Sequence, residues 1–275
     1  MKLRGLFLAP SWLIMGVLFL APLAVIAAYS LLTKGTYGGI TAPWTIESYQ
    51  RLADGLYLSI LARSFALAGI VTLLCVPLAF PLALFLARCG KYKLLFLNLV
   101  MLPFWTSLLV RTYAWMFLLR DTGLINTVLQ SLGIISQPLP LLYNDGAVLL
   151  GLVYSYLPFM VLPVYATLER IEPVLLEAAA DLGERPWGVT WRVLVPLTKP
   201  GILTGAVLVF VPSLGSYLTP DLLGGGRSIL IGNVIQNQFT LARDWPFGAA
   251  LSMLLMALVL ALLLAWNKRG KGELL

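Results

Sequence analysis

Six times along this chain a nearly uncharged apolar run approaches the ~20 residues that an α-helix needs to cross a bilayer. The runs lie near residues 7–32, 62–87, 94–119, 147–168, 201–220 and 247–266. Hydrocarbon offers no water to backbone N–H and C=O groups, so such runs must fold as helices that satisfy their own hydrogen bonds. The first run follows Lys2 and Arg4, and "VIAAYS" resembles a signal cleavage site. Its apolar stretch is far longer than the ~7–15 residues of a signal h-region, so it reads as a retained span. With the N-terminus inside, the loops place twelve Lys and Arg on the inner side and six on the outer, leaving Arg111 within a span. Basic residues accumulate on the cytoplasmic side. The expectation is an all-α integral membrane protein, a single domain over 1–275, with six transmembrane helices and both termini in the cytoplasm. A long cytoplasmic loop, 169–200, then joins spans four and five.

Composition narrows the function. Only 11% of residues are charged, against about 25% in soluble domains. The net charge of +7 therefore sets topology rather than attracting nucleic acid, and no nucleic-acid partner is expected. Histidine is absent, which removes the commonest general base and the commonest transition-metal ligand. No metal site and no catalytic residues are expected. Cys75 and Cys89 fall within and at the end of one apolar run, and they do not form a disulfide framework.

The outer loops carry helix signals. In "TIESYQRLAD", Thr45 is placed to cap a short helix with Glu47 in its first turn. In "GLINTVLQSLGI", Leu124, Ile125, Val128, Leu129 and Leu132 form one stripe at helical spacing. Both read as short interfacial helices. Asp244 followed by Pro246 opens the last span. Prolines recur within the runs at 77, 81, 103, 158, 163 and 212, and each frees a carbonyl that needs another partner. Gly201 and Gly205 make a GxxxG pair suited to close helix contact.

The loop "LEAAADLGERPWGVTWRVLVPLT" (176–198) breaks the apolar pattern with Glu177, Asp181, Glu184, Arg185 and Arg192. Its "GERPWGVT" has the glycine spacing of a phosphate loop. Val189 stands where that motif needs lysine, and no buried strand precedes it, so it does not hold ATP. The residues predict two short helices. Ala178, Ala179 and Ala180 leave the first thin enough for close packing, and Gly183 permits the positive φ that ends it. Pro186 starts the second, with Trp187 and Trp191 on one face, and Pro196 and Pro200 are expected to stop it. Such a knob fits a groove in a soluble partner.

Glu177-Ala178-Ala179, Gly183 and Val193-Leu194-Val195-Pro196, together with Asp181 between them, resemble the EAA loop of permease subunits of binding-protein-dependent ABC importers. That family usually has Ile and Leu where Val193 and Val195 stand. "ESYQRL", "LPFWTSLLVRTYAW", "GLINTVL", "GLVYSYLPFMVLPVY", "PDLLGG", "IGNVIQNQF" and "RDWPFGAALS" are similar, in combination, to the B-type permeases of spermidine/putrescine importers. The resemblance implies a type I ABC importer permease fold in the bacterial inner membrane and a coupling role for Glu177, Ala178, Ala179, Asp181, Gly183 and Pro196. It implies a second, non-identical permease subunit, two ATPase subunits that carry ATP and Mg²⁺, and a periplasmic solute-binding protein. No cofactor is expected on this chain.

A polyamine needs carboxylates and aromatic faces. Asp221, at the outer end of span five beside Tyr217, is the best local carboxylate. Trp105, Tyr113, Trp115 and Tyr156 are aromatic candidates for the path. Arg111 is a functional candidate by default, and Asp221, Asp145 or a residue of the partner subunit are its possible counter-charges. Related permeases carry other small solutes. An ion-driven secondary transporter would usually hold acidic or histidine relays and inverted repeats, and a membrane enzyme would need a nucleophile–base pair. Neither pattern is found.

Overall fold

The computed structural model describes residues 2–270, and side-chain surroundings for 12–266. The charges at Lys2, Arg4, Lys268, Arg269 and Lys271, on which the orientation count partly rests, lie outside that side-chain set. The described chain is helical apart from one two-stranded hairpin. Five helices are long and apolar enough to cross a membrane, and six spans result if one bent pair counts as a span. The chain divides into two compact units. One holds the chain through Ser59 together with the chain from Val234 onward, and the other is Ile60–Asn233.

In the first unit α1 (Lys2–Ser30) packs on α13 (Trp245–Gly270). A hairpin of β1 (Leu32–Lys34) and β2 (Ile40–Trp44) follows, then α2 (Glu47–Leu52). Glu47 lies in the first turn as expected, but the N-cap position falls on Ile46 and not Thr45; Thr45 Oγ1 accepts the Glu47 N–H at 3.1 Å from one residue further out. Asp244 is 3% exposed and caps α13 by accepting the Phe247 N–H at 3.2 Å. Its other oxygen takes the Arg51 guanidinium at 2.9 Å, which itself lies 4.2 Å from the Phe247 ring centroid. The hairpin tip needs glycine. Gly38 has φ +96°, and a Cβ there would come within 2.6 Å of the Arg243 Cβ.

The second unit is built around α7 (Asp145–Leu168), against which α10 (Val195–Leu214) packs along its length. Gly201 and Gly205 make this possible. A Cβ on Gly201 would sit 2.6 Å from the Pro163 carbonyl oxygen, and one on Gly205 would sit 2.6 Å from Met160 Sδ and 3.1 Å from Met160 Cα. The GxxxG pair is thus the helix contact its spacing suggests. The core around it includes Val71, Cys75, Ala79, Leu152, Met160, Val164 and Val209. Between them, α3 (Gly55–Arg88), α7 and α10 absorb five of the six intramembrane prolines without breaking.

Two elements differ from their sequence expectations, and a third buries a residue that the sequence did not single out. The run 94–119 is not one helix: α4 (Lys93–Trp105) and α5 (Leu108–Leu119) flank a break at Thr106–Ser107, and the segments Gly90–Trp105 and Leu108–Ser131 meet at 89°. Local hydroxyl bonds compete with the helix there. Thr106 Oγ1 donates to the Pro103 carbonyl at 2.8 Å, while Ser107 caps α5 by accepting the Leu109 N–H. The fifth helix ends at Leu214, so Tyr217 and Asp221 stand on a separate short helix, α11 (Leu218–Gly224), with Tyr217 at its N-cap. In α6 (Leu124–Ser131) the inward residue is Asn126, whose amide bonds the Arg120 and Leu139 carbonyls and the Leu139 N–H. Of the apolar stripe, Leu124, Val128 and Leu132 are exposed, while Ile125 and Leu129 are half-buried and Ile125 packs against the core. Asn126 is buried beside them with its amide bonded, since an unpaired buried amide is costly.

Candidate functional site

The loop after α7 folds as the helix pair its residues predict. α8 (Pro173–Asp181) ends in a Schellman turn. Glu184 N–H donates to the Ala179 carbonyl and Gly183 N–H to the Ala180 carbonyl, and Gly183 takes φ +85°. Ala179 turns inward, while Glu177, Ala178 and Asp181 are exposed. Leu182, at the tip, is 87% exposed. Neither Glu177 nor Asp181 forms an ion pair among the described residues. At the start of the loop, Lys93 donates to Glu169, and this bond holds the Glu169 carboxyl below its ordinary range.

The second helix, α9 (Pro186–Val189), does not stop at Pro196 or Pro200. It continues through a π-turn over Thr190–Leu194 into α10, giving one helical body from Pro186 to Leu214. The wider turn accommodates Pro196: Val195 N–H reaches back to the Thr190 carbonyl, and Thr198 Oγ1 donates to the Leu194 carbonyl at 2.8 Å. Proline's missing donor is therefore absorbed rather than allowed to end the helix. Glu184 pairs with Arg192 across this joint. Trp187 and Trp191 meet edge to face at 5.7 Å between centroids, and Trp187 is 73% exposed. A groove of ≈ 460 Å³ is lined by Leu176, Glu177 and Ala180 of the first helix, Val189 and Leu194 of the second helical body, and Arg88 at the end of α3.

The membrane-level candidates do not form one cluster. Trp105, at the helix break, is 89% exposed, and Tyr113 is exposed on α5. Tyr217 and Asp221 are exposed on α11, and no described residue makes an ion pair with Asp221. Arg111 and Tyr156 are brought together. They are close enough to interact electrostatically, and Tyr156 OH donates to the Pro212 carbonyl at 3.2 Å. The Arg111 guanidinium lies 5.9 Å from the Phe104 ring, which stacks edge to face on Phe159 at 4.6 Å.

Arg111 pairs with neither carboxylate expected for it. Asp145 is taken by Arg63, with bonds of 2.7 and 2.8 Å to both carboxylate oxygens, and by the Ser228 hydroxyl. Arg111 Nε and Nη1 are closed off from solvent and have no hydrogen-bond partner among the described residues. A charged residue at a helix centre in the membrane costs about 2.5–3.5 kcal/mol even on the most lenient scale. The Arg63–Asp145–Ser228 cluster and Phe104 escaped the sequence reading. Their partners lie up to 83 residues apart, and the break at Thr106 removes the periodicity that would have linked Phe104 to Arg111.

The chain matches the model of the family described as binding-protein-dependent transport system inner membrane component, over residues 76–269. It is 41% identical over 262 residues to the spermidine/putrescine transport system permease protein PotB of Haemophilus influenzae, covering 95% of this chain and 91% of that one. Against PotB of Escherichia coli K12 it is 42% identical over 259 residues, covering 94% of each. Among solved structures it resembles a bacterial ABC transporter involved in import of the acidic polysaccharide alginate. That likeness has TM-score 0.76 at 18% identity, covers 100% of this chain and 96% of that one, and shows the type I permease fold. A family match over more than half the chain, with relatives above 40% identity along nearly all of it, leads to one conclusion: the chain belongs to the inner-membrane permease components of binding-protein-dependent ABC importers.

Proposed function

We propose that this chain is one of two non-identical permeases of an importer that moves a small polyamine such as spermidine or putrescine inward by alternating access. Two ATPase subunits would supply ATP hydrolysis, and a periplasmic protein would deliver the cargo. The observation that carries the coupling mechanism is the unbroken helix from Pro186 to Leu214. Its cytoplasmic end forms half of the exposed knob. Its membrane end is locked to α7 through Gly201 and Gly205. Closure of the ATPases around Glu177, Ala178, Ala179, Asp181 and Gly183 would therefore swing α10, and α7 with it, as one body. The rest of the reading rests on the 41–42% identity with polyamine permeases. Cation–π contact would come from exposed rings such as Trp105, Tyr113 and Tyr217, and Asp221 is the carboxylate free to meet an ammonium group.

The test begins at the turn between the two knob helices. Gly183→Val places a β-branched residue at φ +85°, a conformation costing it at least about 1–2 kcal/mol. Glu177→Ala removes the exposed carboxylate in parallel. Each variant, still inserted in the membrane, is expected to recover less ATPase with the tagged chain and to lose uptake of labelled putrescine. Uptake that persists in cells lacking the ATPase would return an ion-driven carrier to the front. Uptake of a different solute by an otherwise intact importer would correct the cargo alone.

A further inference from the structure

We infer that Arg63 and Asp145 are positioning residues for the cargo, acting through the chain segment that carries Tyr217 and Asp221; this rests on the polyamine reading above. That segment has little to hold it in place by itself. α11 is seven residues long, too short to be stable as an isolated helix. One face is fitted closely to α7, where a Cβ on Gly151 would sit 2.5 Å from Leu223 Cδ1 and 2.7 Å from Thr219 Cγ2. Beyond α11 come Gly224, Gly225 and Gly226, the last two at φ +55° and +78°. Glycine loses more conformational freedom on ordering than any other residue, so the chain after α11 needs an anchor.

Arg63 and Asp145 supply it. Arg63 Nη2 donates to both Asp145 oxygens, at 2.7 and 2.8 Å, and Nη1 donates to the Arg227 carbonyl at 3.4 Å. Ser228, 2% exposed, donates its hydroxyl to the same carboxylate. The start of α3, the start of α7 and the chain after α11 therefore meet at one carboxylate. From there a run of bonds leads back to α11. Ser64, next to Arg63, accepts the Ile231 N–H at 2.8 Å. Asn233 accepts the Leu230 N–H at 3.3 Å and donates to the Tyr217 carbonyl at 2.8 Å. Tyr217 is the N-cap of α11, and Asp221 lies one turn further on. The clasp makes no hydrogen bond to either side chain, so it acts on them through the backbone. Arg63 and Asp145 are 43% and 52% exposed, and an exposed pair adds little to overall stability. Its planar fork instead fixes direction, bonding a carboxylate and a carbonyl at set angles.

Arg63→Gln and Asp145→Asn are compared with wild type in cells expressing the whole importer, by the concentration dependence of labelled putrescine uptake. Each is expected to raise the half-saturating concentration by about tenfold, with the maximal rate per inserted chain and the recovery of ATPase unchanged. Against an Asp221→Asn background, Arg63→Gln should raise it by less than about twofold more, because both changes act on one contact. A second measurement needs no cargo. In a chain with Cys75 and Cys89 replaced, Thr219→Cys sits where Thr219 is 1% exposed, and adding Arg63→Gln should speed its reaction with a thiol reagent several-fold. Unchanged half-saturation in both clasp variants would overturn the inference. So would a loss confined to maximal rate or inserted protein, which is the mark of a merely structural pair. Full additivity with Asp221→Asn would overturn it as well. A wild-type importer that takes up no putrescine would remove the polyamine reading alone. The reactivity of Thr219→Cys then decides the clasp: faster reaction supports it, and an unchanged rate sinks it.

Discussion

Gly205 shows how one hydrogen atom can decide a helix interface. Its missing side chain lets α10 approach the Met160 backbone, where a Cβ would meet Met160 Cα at 3.1 Å. Flexible Met160 can give way at its sulfur, but the backbone cannot. Gly205→Val is therefore expected to destabilise the protein by about 1–3 kcal/mol, the usual cost of overpacking a close-packed site. Thermal unfolding of the detergent-solubilised chain should show the loss as a lower midpoint, and Gly205→Ala should fall between the two. An unchanged midpoint for Val would mean that α7 and α10 separate without penalty. Gly201 faces a harder wall, the Pro163 carbonyl, and carries the same expectation.

Among the elements, the helix from Pro186 to Leu214 matters most for coupling. Its stiffness depends on a joint, Thr190–Leu194, where the helix widens to a π-turn before Pro196. Softening that joint should uncouple the knob from the membrane without removing the knob. Val193→Gly together with Val195→Gly withdraws about 0.5–1 kcal/mol of helix propensity in total. Uptake should fall several-fold while the ATPase is still recovered with the tagged chain. Unimpaired uptake would mean that the motion enters by α8 and α7 instead. Much of this region was legible in sequence, because helix starts and stops are written within four residues of each other. Gly183 ends α8 and Pro186 starts α9 as their chemistry dictates. Pro196 and Pro200 misled because proline's effect depends on whether the ladder around it can widen, and that is settled by packing.

For the whole molecule, the charge count across the loops predicts an orientation in the membrane. Tyr37, on the hairpin, and Leu182, at the knob, are 96% and 87% exposed and fall on opposite sides in that count. In a chain with Cys75 and Cys89 replaced, Tyr37→Cys should react with an impermeant thiol reagent applied to spheroplasts. Leu182→Cys should react only after the membrane is opened. The reverse pattern would invert the topology and remove the knob from the cytoplasm. Taken alone, the sequence determined the number of apolar runs, the α8–α9 pair, the GxxxG contact and the family resemblance, since each is written in local hydrophobicity, local backbone freedom or contiguous motifs. Only the tertiary structure decided that the third run breaks, that Asp221 leaves the fifth helix, that Asn126 is buried beside its helix's apolar stripe, and that Asp145 belongs to Arg63. The third run breaks at hydroxyls bonded locally, at Thr106 and Ser107. For Asn126 and Asp145 the physical reason is shared: a polar group goes where its hydrogen bonds can be completed, and Leu139 and Arg63, which complete them, lie 13 and 82 residues away along the chain.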